Sequence, residues 1–223
     1  MDKFFNLDSP LMRALSRIAD VVVLNILTFI CCIPIITIGA ALTAQHYVVL
    51  KMARDEEGYV VRPFFKSFKE NFKQATCIWL IFLAFILLFI LDIYIFSYSG
   101  MEFPKFMIIA VSAFAIVVAM VGIYVFPVLA RFDNTVKNTI INSFKIAIIS
   151  LPKSILMLII YASPLILLAA SLNLVPIVLL FGLSGPAYVC AMLYSGTFKK
   201  FEPGEEIVED RDFSIETEEE TEV

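Results

Sequence analysis

The chain reads as an all-α polytopic transmembrane bundle, and three observations predict it. Ser154 to Phe198 runs 45 residues without a charged side chain, whereas one bilayer crossing takes about 20 apolar residues. Val21–Leu50, Gln74–Leu91 and Phe106–Ala130 are also free of Asp, Glu, Lys and Arg. The hydrophobic fraction is 60% and the mean hydropathy +0.89, well above the roughly 45–50% apolar usage of soluble domains. Amphipathic connector helices are expected between the spans, on the cytoplasmic side.

Hydropathy alone gives five peaks, at 21–43, 75–97, 106–130, 154–172 and 176–198. The charges between them argue for a sixth crossing. Lys51, Arg54, Arg62, Lys66, Lys69 and Lys73 follow the first run, and Arg131, Lys137, Lys145 and Lys153 follow the third. Lys199 and Lys200 follow the last. Lys/Arg excess marks the cytoplasmic side, so these segments belong inside. Five spans would then push Lys3, Arg13 and Arg17 outside. A break at Pro34–Gly39 resolves the conflict, because proline removes a helix hydrogen bond. Leu11–Ile33 then rises, and Ile36–Arg54 returns over about 28 Å at 1.5 Å per residue. Six crossings in three hairpins, both termini inside, is the preferred reading. Five spans with an external amino terminus is the alternative.

Two domains are expected: a transmembrane domain over 1–201 and an acidic, disordered cytoplasmic tail over 202–223. The tail holds eleven of the 21 acids and one of the 17 bases, which leaves sixteen bases against ten acids in the body, a net of +6. A tail so charged and so poor in apolar residues does not bury a core. No small-residue cleavage site follows the first apolar run, so the amino terminus is read as retained.

The first basic connector predicts a helix over Phe64–Gln74, opened by Pro63. Phe64, Phe65, Phe68 and Phe72 lie at helical spacing with Lys66, Lys69 and Lys73 between them. Such an element suits the inner headgroup layer, aromatic face down, as a topology anchor or as a docking surface for a partner. An echo links it to the second connector. Arg54-Asp55 followed by Ser67-Phe68-Lys69 matches Arg131-Phe132-Asp133 followed by Ser143-Phe144-Lys145. An internal repeat and shared membrane composition both account for it. Ile149-Ser150-Leu151-Pro152 resembles the end of the coupling loop of importer permeases driven by ATP hydrolysis. Asn134, Thr135 and Thr139 stand where that loop has two alanines and a glycine, so Pro152 is more simply a break before a span.

Polar residues inside apolar runs mark candidate sites, since burying them in lipid is costly. Asp92 is the acid at the outer end of the second long run, His46 is the single histidine, and Asn25 lies in the first run. His46 is expected to pair with Asn25 or Asp92. Gly182, Gly185 and Pro186 are expected to kink or closely pack the last span. Cys31, Cys32, Cys77 and Cys190 all sit in apolar stretches and read as small buried hydrophobes. No GxxxxGK[ST], HExxH, GxSxG or zinc spacing is present. The protein is therefore expected to be non-enzymatic, without metal or cofactor, and to bind no nucleic acid.

The first third of the chain resembles the YesL-like family of bacterial multi-pass membrane proteins, a family of unknown function. The stretches that carry the resemblance are Asp8-Ser9-Pro10-Leu11-Met12-Arg13, Cys31-Cys32-Ile33-Pro34 through Ala40, Arg54–Gly58 and Phe68–Ala75. The resemblance implies a bacterial cytoplasmic membrane location. It also implies an accessory role in carbohydrate uptake, beside importer permease or ATPase subunits, because family members often neighbour sugar-importer genes. A small stand-alone transporter or channel, or a degenerate permease-like subunit, is the alternative. The family carries no established catalytic residues.

Overall fold

The computed structural model describes residues 10–56, 59–98 and 104–201. The expected acidic tail, 202–223, lies outside the described residues. Every described element is a helix: α1 Pro10–Cys32, a 3-10 turn Ile35–Thr37, α2 Ile38–Ala53, α3 Val61–Tyr98, α4 Lys105–Arg131, α5 Val136–Ile149, α6 Leu151–Ala170, a second 3-10 turn Leu172–Leu174, α7 Val175–Phe181 and α8 Ser184–Phe198. Five helices are long and apolar enough to cross a membrane. The count is six if α7 and α8, bent by 54°, form one span.

The first apolar run is two helices. Pro34 holds an extended backbone (φ −76°, ψ 123°) ahead of the first 3-10 turn. Thr37 Oγ1 closes the turn by donating to Cys31 O and Pro34 O at 2.6 and 2.8 Å. Trp79 Nε1 on α3 donates to Ile35 O at 2.7 Å and clamps the turn from outside. At the opposite end, Arg17 on α1 donates to Met52 O (2.7 Å) and to Tyr188 Oη on α8 (3.0 Å), and it pairs with Asp55. A cation beside the last carbonyls of α2 suits the negative end of that helix. Asp55 itself takes a positive φ of 57°, the left-handed step that commonly ends a helix.

α2 is the hub. It packs on α3, α8, α4 and α1, and ten of its sixteen residues are buried. Small residues make this possible: Gly39, Ala40, Ala41 and Ala44 let neighbouring backbones approach. A Cβ on Gly39 would stand 2.6 Å from Trp79 Cβ and closer still to Ala75 O.

α3 departs from expectation. The connector helix and the second apolar span form one unbroken helix of 38 residues, about 57 Å long at 1.5 Å per residue. Pro63 sits in its first turn, where a missing N–H costs no intrahelical bond. Past Ile78 none of its described residues is buried, and α4 has none before Met120. There α3 and α4 form a two-helix arm joined by Phe85–Phe114 and Phe89–Phe114 contacts with centroids 6.0 Å apart. Outside it the arm shows Leu87, Leu88, Ile90 and Ile109, a surface suited to hydrocarbon and not to water.

The two echoed connectors end differently. Ser67 and Ser143 are both buried, but Ser67 lies inside α3, whereas Ser143 lies on a separate helix. α5 starts at a Thr135 cap whose side chain accepts from Asn138 N, and it ends at Ser150 just before Pro152. The cysteines also differ from their common reading. Cys190 is buried, Cys31 and Cys32 are half-buried, and Cys77 is exposed on α3, facing away from the bundle where lipid is the apolar medium.

Candidate functional site

The last apolar run contains a break between Phe181 and Ser184, and a side chain from α1 repairs it. Pro186 lies in the first turn of α8 and has no N–H, and Gly182 loosens the chain ahead of it. In a continuous helix the Leu183 N–H would bond to Leu179 O. Here Leu183 N and Ser184 N donate instead to Asn25 Oδ1, at 2.9 and 2.8 Å, and Asn25 Nδ2 donates to Leu179 O at 2.7 Å. One carboxamide thus supplies the acceptor and the donor that a peptide unit would have supplied. Asn25 is fully buried, and in an apolar medium each of those groups is costly to leave unpaired.

Two buried residues of α2 extend this polar core. Gln45 Nε2 donates to Ser184 Oγ at 2.9 Å. His46 Nδ1 lies 3.2 Å from Tyr194 Oη, and His46 Nε2 lies 3.3 Å from Tyr161 Oη. Both tyrosine rings meet the imidazole edge-on, with centroids 6.1 and 6.3 Å away. A hydroxyl both donates and accepts, so this pair satisfies either tautomer. Beside the break opens a cavity of about 380 Å³ with Gln45, His46 and Tyr161 on its floor and Phe126, Leu168 and Val178 on its walls.

Of the three intramembrane polar residues singled out in the sequence, Asn25 and His46 flank this one region. They do not bond to each other, and His46 pairs with the two tyrosines in place of Asn25 or Asp92. Asp92 is half-exposed on the outer arm, beyond the Phe89–Phe114 contact, and is no neighbour of the cavity. Gln45 was missed, though an amide inside an uncharged run is the same signal that marked Asn25. Tyr161, Ser184 and Tyr194 gave no comparable signal, because Tyr and Ser are ordinary in apolar helices.

The connector residues divide by face. Phe64 is fully buried in the main core, and Phe68 and Phe72 pack against the core while half-buried. Phe64 stacks on Phe68 at 6.3 Å, and Phe68 meets Phe72 at 5.7 Å. These aromatics lie on the face of α3 that carries the buried Ser67, Ala75 and Ile78, so they face the bundle. Phe65, Lys66, Lys69 and Lys73 are exposed and form what surface the element has. Behind it lies a polar cleft of about 990 Å³ between α3 and the α4–α5 turn, lined by Glu70, Asn71, Lys73, Arg131, Asp133 and Asn138 among others.

A family model described as "Protein of unknown function, DUF624" matches residues 21–93. The matched stretch is 73 of the chain's 223 residues. The YesL-like resemblance read from the sequence is consistent with it. The match runs from within α1 to near the end of α3 and includes Asn25, Gln45, His46 and the lysines of α3. The break that Asn25 caps, and both tyrosines around His46, come from the chain beyond it. No curated protein and no solved structure matches the chain.

Proposed function

We propose that this protein is a non-enzymatic accessory or regulatory component of a carbohydrate importer in the bacterial cytoplasmic membrane. In this reading both termini and the basic connectors face the cytoplasm. The observation that carries it is the polar cleft of about 990 Å³ lined by Lys73 and Arg131, beside a helix that also exposes Lys66 and Lys69. It is large enough to seat a loop of a permease or ATPase subunit. The link to carbohydrate uptake rests on the YesL-like resemblance. Affinity purification from native membranes tests the reading: importer subunits should co-purify, and a charge-reversed Lys66→Glu/Lys69→Glu variant should lose them while still folding. Recovery without any importer component would sink it.

A second reading is a small transporter acting alone. It is favoured by the discontinuous α7–α8 helix beside a cavity, since transporters build substrate sites at such breaks. Flux in proteoliposomes holding only this protein, abolished by Asn25→Leu, is the outcome that would support it.

A further inference from the structure

The cavity beside the helix break has the chemistry of a binding site, a conclusion independent of the importer reading. Its floor is polar and built. Gln45 and His46 are buried, and Tyr161 joins them through His46 Nε2. Gln45 gives one amide hydrogen to Ser184 Oγ, and a carboxamide also has a second N–H and a carbonyl acceptor. A tyrosine hydroxyl likewise holds one donor and two acceptor positions. The floor therefore offers both donors and acceptors to a guest.

The walls and mouth describe the rest of that guest. Ile123 and Phe126 of α4 face Leu165 and Leu168 of α6 across the cavity, with Val178 of α7 closing it. Leu165 lines the cavity and yet is 71% exposed, so the cavity opens sideways at α6, onto the apolar flank of the bundle. Among the described residues no Asp, Glu, Lys or Arg lines it, so a carboxylate, phosphate or ammonium would enter without a charged partner there and at high cost. Its volume of about 380 Å³ lies near the small end of ligand pockets, roughly 300–1,000 Å³, which suits one chain and not two. The helix hydrogen bonding on both sides of it is irregular there. Pro164 frees Ile160 O, which Ser163 Oγ takes at 2.7 Å, and Gly182 precedes the bend of α7 and α8.

We propose that this cavity binds an uncharged long-chain alcohol entering from the bilayer. The hydroxyl sits against Gln45 and the His46–Tyr161 pair, and the chain lies between α4 and α6. The guest is a single-tailed neutral lipid, distinguished from bulk acyl chains by its hydrogen-bonding head.

The test uses the full-length protein in phosphatidylcholine nanodiscs with hexadecanol carrying a diazirine in its chain. Labelling should be saturable and should map to the segments holding Ile123 and Leu165–Leu168. Excess unlabelled hexadecanol should compete, and hexadecane should not. Leu168→Trp, which fills the cavity, and Tyr161→Phe, which removes only a hydroxyl, should each lower labelling about tenfold. Leu87→Trp on the outer arm should leave it unchanged. Two results would overturn the proposal. One is equal competition by hexadecane, meaning that any bilayer chain fills the cavity. The other is labelling spread along the α3–α4 arm and insensitive to Leu168→Trp.

Discussion

Asn25 is the residue on which the third hairpin depends, because its amide stands in for a missing peptide unit. Asn25→Leu keeps the number and branching of heavy atoms and removes three hydrogen bonds, to Leu179, Leu183 and Ser184. Leaving such buried groups unpaired costs about 2–4 kcal/mol. At about 2–4 °C per kcal/mol for a chain of this size, the thermal midpoint in detergent should fall measurably. An unchanged midpoint would show that α7 and α8 are held by packing alone. Gly39 is the second sensitive position. The Cβ of Gly39→Ala would press on Ala75 O and Trp79 Cβ, and a main-chain oxygen cannot swing aside as a flexible side chain can. Trp79 is the chain's one Trp and donates to Ile35 O, so its fluorescence reports on this turn directly. Gly39→Ala should shift the emission maximum and destabilise by about 1–3 kcal/mol.

At the scale of elements, α3 shows how one helix changes its surroundings along its length. Its first turns pack Phe64 into the core and show lysines to solvent. Its last turns show apolar side chains on every face that α4 does not cover. The spacing of Phe64, Phe68 and Phe72 correctly marks one helical face, but periodicity cannot say whether that face meets lipid headgroups or another helix. The partner is α2, which comes earlier in the chain and whose small residues permit close contact. Neighbouring phenylalanines should therefore respond oppositely. Phe64→Glu buries a carboxylate in the core and should abolish a monodisperse peak in size-exclusion chromatography. Phe65→Glu, at a side chain 40% exposed, should elute as the parent does. Similar behaviour of the two variants would mean that α3 does not pack on α2 through this face. The same division bears on partner binding, since among the aromatics and lysines of this connector it is Phe65 and the lysines that are exposed.

For the whole molecule, the six-span reading in three hairpins predicts an alternation of sides that labelling can read. With single cysteines in a cysteine-free parent, Ile36→Cys and Asn173→Cys occupy the two turns that the proposed orientation puts outside. Both should react with a membrane-impermeant maleimide in intact cells. Lys66→Cys and Lys145→Cys should react only after permeabilisation. Labelling of Lys66→Cys in intact cells would reverse the orientation given by the loop charges. The arm of α3 and α4 adds a further property: its described residues bury nothing beyond their mutual contact, so its stability relies on an apolar medium.

The long uncharged runs by themselves determined that this is a bundle of apolar helices, since a spanning helix needs about 20 continuous apolar residues whereas a barrel strand takes about 10 that alternate apolar with polar. Pro34 and the charges of the segments flanking the first run likewise divided that run into two helices, because proline breaks a helix locally. What surrounds each polar residue was decided only by the tertiary structure. Asn25 lies 158 residues from Leu183 in sequence and His46 lies 148 from Tyr194, and no local pattern encodes contacts of that range. The sequence therefore marked Asn25 and His46 as costly, and Asp92 beside them. Packing then placed His46 on the cavity and Asn25 at the helix break beside it, and left Asp92 on the α3–α4 arm.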